Sequence, residues 1–166
     1  MAFVSPEGWT RISSSLSYDE PRKAIDFLCK AFGFKVHLLV GGENDSVVHS
    51  ELVIDGGIIM VGTSGGTDGK AREWRKSPRS LGGANTQNIM VYVDDVEAHF
   101  AHAKSVGAKI VSEPKMSDYG EGYWVDRSYE CEDIEGHHWY FVQRLADLRK
   151  GAPRDARGSY GSSGET

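Results

Sequence analysis

The chain carries the same order of signals twice, and that duplication constrains the fold more than any single motif in it. Residues 13–36 read SSSLSYDEPRKAIDFLCKAFGFKV and residues 88–111 read NIMVYVDDVEAHFAHAKSVGAKIV. Each opens with an alternating, strand-like run that ends at an acidic residue, Asp19 or Asp94. A helical pattern follows: Ala24, Phe27, Leu28 and Phe32 in the first copy, Val96, Phe100, Ala103 and Val106 in the second, near i, i+3/4, i+7 spacing. Both helices are expected to stop at a glycine, Gly33 or Gly107, which a left-handed C-terminal cap favours. The copies are offset by 75 residues at the aspartates (19 to 94) and by 74 at the glycines (33 to 107), so the first helical region holds one extra residue.

Strand patterns complete each copy. HLLVGG, SVVHSELVID and IIMVGTS follow Val36, with Gly56-Gly57 marking a turn. A loop, EGYWVD, RSYECEDI and HHWYFVQ follow Val111, with Glu135-Gly136 at the matching turn. Each half therefore reads β-α-β-β-β. The organisation is a first module at 10–64, a Gly-rich linker at 65–86, a second module at 87–143 and a largely flexible C-terminal extension at 144–166. The linker carries Lys70, Arg72, Arg75, Lys76 and Arg79 and reads as an exposed connector.

Composition narrows the function. With 19 Lys+Arg against 24 Asp+Glu the net charge is −5, without the basic face of a nucleic-acid binder. No apolar run approaches the ~18 residues of a membrane span, and the N-terminus lacks a signal-peptide pattern. Cys29 and Cys131 form no CxxC pair and read as reduced thiols, so a cytoplasmic protein is expected. No GxSxG elbow surrounds the serine run 13–15, and GGTDG at 65–69 lacks the GK[ST] ending of a phosphate loop.

Two stretches carry a family resemblance: DEPRKAIDFLCKAFG, from Asp19 to Gly33, and RSYECEDIEGHHWYF, from Arg127 to Phe141. With the duplication, they resemble the vicinal oxygen chelate superfamily, which includes glyoxalase I, extradiol dioxygenases, fosfomycin-resistance enzymes and bleomycin-resistance proteins. The second stretch is similar to its glyoxalase-like members. The resemblance implies an α+β fold of two tandem βαβββ modules forming a curved mixed sheet around a cup, helices outside. It also implies a homodimer, because pockets in the family are often built from two chains.

Strand alternation then assigns faces. Asn88, Met90 and Tyr92 point to the cup, with Ile89, Val91 and Val93 under the helix. Ser13, Ser15 and Ser17 face the cup, and Ile12, Leu16 and Tyr18 pack outward. His137, Trp139 and Phe141 share one face of the last strand; the resemblance puts His138, Tyr140 and Val142 in the cup.

Metal-dependent members hold a divalent ion with His, Glu or Gln from first and last strands. The corresponding positions here are Ser13, Val61, Asn88 and Tyr140, none of which is a good ligand. A displaced set is His49, Glu51, Glu130 and His138, although alternation makes His49 and Glu51 an ordinary polar strand face. His99 and His102, with Glu97, read as a solvated helix face, and His137 as a structural histidine bonded within its hairpin.

The expected function is that of a metal-independent, cofactor-free binding protein resembling the bleomycin-resistance type. Ser13, Ser15, Gln87, Asn88 and His138 would orient an aromatic or polar ligand. Met90, Tyr92, Tyr123, Trp124 and Tyr140 would wall it. The alternative is a glyoxalase-like lyase or isomerase, or a dioxygenase-type enzyme, using the displaced metal set, or a metal-free acid–base enzyme using Glu130 or His138. A protein-interaction module is a third possibility. Expected partners are a small molecule and a second copy, with no nucleic acid and no membrane.

Overall fold

The computed structural model describes residues 9–67 and 72–149; Lys70 and most of the C-terminal extension lie outside them. The first module contains β1 (Ser14–Tyr18), α1 (Pro21–Phe32), β2 (Lys35–Gly41), β3 (Val47–Ile54) and β4 (Gly57–Thr63). The second contains β5 (Asn88–Tyr92), α2 (Val96–Val106), β6 (Lys109–Asp118), β7 (Trp124–Glu132) and β8 (His138–Asp147). Each module forms a four-stranded mixed sheet, in the orders β1-β4-β3-β2 and β5-β8-β7-β6, with β1–β4 and β5–β8 parallel. This is the expected tandem βαβββ, α+β architecture.

The helices differ by the one residue that the offset implies, 12 in α1 against 11 in α2. Both end on the expected glycines, Gly33 at φ 82° and Gly107 at φ 104°. Their starts differ. The Asp95 side chain accepts from Ala98 N at 3.0 Å and caps α2, whereas Glu20 makes no side-chain cap at α1. The Glu135 carboxylate, from the other module, accepts from Asp19 N and Glu20 N instead, at 2.8 Å each.

One core unites the modules. Phe32, at the end of α1, packs on Trp139 and Phe141 of β8 at ring separations of 5.2 and 4.9 Å, and Phe34 on Trp139 at 5.7 Å. Leu16, Tyr18, Leu28 and Leu52 complete the apolar layer beneath α1. Among the described residues, no strand of one sheet pairs with a strand of the other; the modules meet where α1 packs on α2 and where Phe32 of α1 reaches β8.

Several sequence expectations need correction. Ile12 does not pack under a helix: it precedes β1 and is 90% exposed. The end of EGYWVD and most of RSYECEDI, Trp124 to Glu132, form one strand, β7, and the expected loop after Val111 is strand as far as Asp118. Pro114 misled the pattern; it is tolerated because β6 is an edge strand with register shifts between Ser112 and Lys115. β8 runs on to Asp147, past the boundary at 143, held by an Arg144–Asp126 ion pair at 2.5 Å. The linker is more than an exposed connector, since Ser77 and Pro78 are buried at its short 3-10 turn.

Of the α2 histidines, His99 departs from the solvated face: it packs on Phe141 at 4.1 Å and bonds Tyr129 Oη at 2.7 Å. His102 is exposed together with Glu97, although its Nε2 bonds Lys30 O at 2.6 Å. His137 is structural, but its Nε2 bonds Ser17 O of β1, 3.0 Å away in the other module.

Candidate functional site

The sheet face opposite the helices is where this fold leaves side chains available to a ligand. On β8 the alternation sorts residues as expected: Trp139 and Phe141 are fully buried in the core, His138 and Tyr140 half-buried on the cup face. β5 pairs with it in register, Asn88 opposite His138 and Met90 opposite Tyr140. Asn88, Met90 and Tyr92 are exposed, whereas Ile89 and Val91 pack against the core.

A cavity of about 380 Å³ opens on this face, lined by Gly83, Asn85, Gln87, Asn88, Glu130 and His138. The expected Gln87, Asn88 and His138 are therefore brought together. Glu130 joins them from β7, and Gly83 and Asn85 were not foreseen. Asn85 follows a glycine pair in GGAN, a pattern that reads as turn chemistry; its amide bonds Gly136 O at 2.8 Å and so fixes the linker against the β7–β8 loop.

Inside the cavity His138 Nδ1 lies 2.8 Å from Glu130 Oε1, and its Nε2 lies 3.5 Å from Glu132 Oε1. Partial burial, reinforced by the charge of Glu130 and a hydrogen bond to it, raises the Tyr140 hydroxyl above the usual tyrosine range. Tyr140 is thus a neutral donor at neutral pH. Gln87 also donates to Ser14 Oγ at 3.1 Å, joining the cavity to the start of β1.

The remaining expected residues lie elsewhere. Tyr92 Oη accepts from Arg144 Nη2 at 2.7 Å, and the Arg144 guanidinium sits 4.8 Å above the Trp124 ring. Tyr123 is exposed in the turn before β7, its ring 6.0 Å from that of Trp124. These aromatics occupy the end of the second sheet away from His138. Ser13 is half-buried and contacts Thr10 Oγ1 at 3.0 Å, and Ser15 is exposed on the first sheet beside Arg75.

Val61 is not a cup position. It pairs with Leu16 and is 1% exposed within the core; Met60, opposite Ser15, takes the cup face. The error is a slip of one residue, which in a strand reverses the face.

The displaced metal set does not assemble. His49 Nε2 bonds Glu51 Oε1 at 3.0 Å on the first sheet, while Glu130 and His138 pair on the second. Among the described residues no three His, Cys, Asp or Glu side chains converge to hold a metal ion. The donor set of one chain does not fit the divalent ion of the metal-dependent members. Glu51 is nonetheless no ordinary exposed strand residue: it is buried, with His37 Nε2 3.7 Å away on β2. Nucleophilic chemistry finds no support at the cysteines either. Burial, with the charge of Asp133 adding, pushes the Cys131 thiol up to about 12, and burial raises Cys29 as well.

The fold and the cup face define a class, and comparison with known proteins identifies it. The model of the Glyoxalase/Bleomycin resistance protein/Dioxygenase superfamily matches residues 12–141, and the chain belongs to this superfamily. It is 30% identical to the uncharacterized protein Mb0911c of Mycobacterium bovis over 155 residues, covering 90% of this chain and 93% of that one. Its structure resembles that of TioX from Micromonospora sp. ML1 with a TM-score of 0.63 and 29% identity, over 82% of this chain and 100% of that one. A superfamily member from Sphaerobacter thermophilus shares the fold at a TM-score of 0.58 and 18% identity, over 86% and 97% of the two chains. No helix among the described residues is long and apolar enough to cross a membrane.

Proposed function

We propose that the chain is a metal-independent binding protein of the bleomycin-resistance type, holding an aromatic or polar small molecule on its cup face as a cytoplasmic homodimer. The cavity at Asn88 and His138 carries this reading. It is an open depression with room of about 380 Å³ for a small molecule. Amide groups line it, with Met90 exposed next along β5 as an apolar flank.

Metal independence is supported by the separation of His49–Glu51 from Glu130–His138, each histidine being engaged by a carboxylate. Dimerisation is supported by the open cup face, where Met90 is 59% exposed and Tyr92 48%. A second copy would supply the missing wall. Two free cysteines fit a reducing compartment.

The test is calorimetric titration of aromatic ligands selected by thermal shift. Asn88→Ala and Tyr140→Phe are expected to weaken binding, and His49→Ala and Glu51→Ala to leave it intact; the reverse result sinks this reading. A second reading, acid–base catalysis, is favoured by the 2.8 Å Glu130–His138 contact at the cavity. Titration with zinc, nickel, manganese and iron(II) addresses the metal-dependent alternative. One ion per chain with a rising melting temperature would replace the first reading with a lyase, isomerase or dioxygenase.

A further inference from the structure

The linker places one cation on the cup face of the first sheet, and the strand beneath is shaped to receive it. After β4 the chain turns back on itself: Gly65 N donates to Arg75 O at 3.0 Å, Arg72 N to Gly65 O at 3.1 Å and Arg75 N to Arg72 O at 2.8 Å. These bonds fix the Arg75 backbone beside the end of β4. From there the side chain lies on the sheet, with Nε 3.3 Å from Ser17 Oγ and Nη2 3.3 Å from Ser15 Oγ. The two serines alternate with the core residue Leu16 and so share the cup face.

Gly62 makes the seat. It pairs with Ser17 in the β1–β4 register, and a Cβ at this position would stand 2.5 Å from Arg75 Nη2 and 3.4 Å from Cζ. A glycine inside a strand costs stability and marks a close approach. Here the approach is that of a guanidinium. A side chain at 62 would lift Arg75 off the sheet without changing the charge of the protein.

We infer that Arg75, seated on Gly62 between Ser15 and Ser17, is an oxyanion-recognition site for a carboxylate or phosphate group of the ligand. The inference rests on the cup face being the ligand face. A planar guanidinium matches either oxyanion in a bidentate fork. Its contacts to the two serines are neutral-acceptor hydrogen bonds at the long end of the range. An oxyanion exchanges them for shorter, charge-assisted bonds, and the two hydroxyls are then placed to donate to it. Arg75 makes other interactions as well, and the fixed backbone and the glycine seat place its guanidinium beside the two serines.

The experiment titrates the full chain with benzoate and with inorganic phosphate at constant ionic strength, chloride serving as the control, and follows binding by NMR. Wild type is expected to bind one of the two, with shifts at Ser15 and Ser17. Benzoate would indicate an aromatic carboxylate ligand and phosphate a phosphorylated one. Arg75→Ala is expected to weaken binding roughly tenfold or more. Gly62→Ala should do the same although it keeps the charge, and Arg75→Lys, which keeps the charge but loses the fork, decides the matter if Gly62→Ala does not fold. Binding of neither anion, or equal binding by wild type and these variants, overturns the inference. If an aromatic ligand still depends on Asn88 and Tyr140 while the anions ignore Arg75 and Gly62, the inference falls and the proposed function stands. Anion binding that needs Arg75 and Gly62, with no ligand dependent on Asn88 or Tyr140, supports the inference and rejects that reading.

Discussion

The two modules close their last hairpins in different ways. Between β3 and β4 the turn is Asp55-Gly56, both residues at positive φ, 41° and 81°, a type I′-like pair suited to strand twist. A Cβ on Gly56 would meet nothing within 4 Å. Between β7 and β8 the loop spans 133–137 and buries Asp133, Glu135 and His137. Asp133 accepts from Tyr18 Oη at 2.6 Å, Trp139 Nε1 at 3.0 Å and the backbone of Glu135 and His137. Glu135 takes Asp19 N, Glu20 N and Ser77 Oγ. The first hairpin merely reverses the chain; the second is a joint that holds β1, the start of α1 and the linker. Duplicated modules can thus keep their strand order while one connection acquires the task of holding the pair together.

Replacing the two aspartates should expose the difference most sharply. Asp133→Ala strands the buried Tyr18 hydroxyl and Trp139 N–H, at an expected cost of about 3–5 kcal/mol. Asp55→Ala only places an alanine in the left-handed region, for about 1 kcal/mol or less. Urea melts measure both. Equal losses would mean that the second loop is no more a joint than the first.

Glu135→Gln sharpens the same contrast at a smaller scale. The substitution preserves shape but leaves one acceptor oxygen where two served the Asp19 and Glu20 N–H groups and Ser77. A loss of about 1–3 kcal/mol is expected. Hydrogen exchange should show it as faster opening of the first turn of α1, whose N-terminus has no side-chain cap of its own. Uniform acceleration across the module would instead mean that Glu135 supports the core at large.

Local pattern carries much of this fold. The amphipathic spacing of Ala24, Phe27, Leu28 and Phe32, the capping glycines and the one-residue offset all reappear because each depends on neighbours close in sequence. The alternation of Asn88, Met90 and Tyr92 with Ile89 and Val91 is legible for the same reason. Val61 fails by a single register step. His99 misleads because a partner, Phe32 O, lies 67 residues away. Asn85 and Arg75 belong to a linker whose composition signals only exposure; their roles come from Gly136 and from Gly62, contacts that the chain path alone creates. Legibility thus decreases as partners separate in sequence, which is why the sheets are readable and the joint and the cation seat are not.

The joint at 133–137 has a counterpart between the helices, and pH separates the two. His99 Nδ1 accepts from the Tyr129 hydroxyl at 2.7 Å, and Nε2–H is directed at Phe32 O, 3.4 Å away. That pattern uses the neutral ring. Burial lowers the His99 pKa below its ordinary value near 6.5, the bond to Phe32 O opposing and the neighbouring His102 adding to the shift. Because the folded state resists a proton that the unfolded chain accepts, the contribution of His99 is complete above about pH 6.5. It is lost as the pH falls from there through the lower folded value. Stability measured between pH 7 and pH 5 should therefore decline with acid, and His99→Gln, which cannot titrate, should flatten that part of the decline. This is the smallest of the three effects, spread over a pH interval instead of concentrated in one substitution. An unchanged slope in the variant would assign the acid sensitivity to groups away from the helix pair, and the contrast between a carboxylate joint and an imidazole joint would lose its basis.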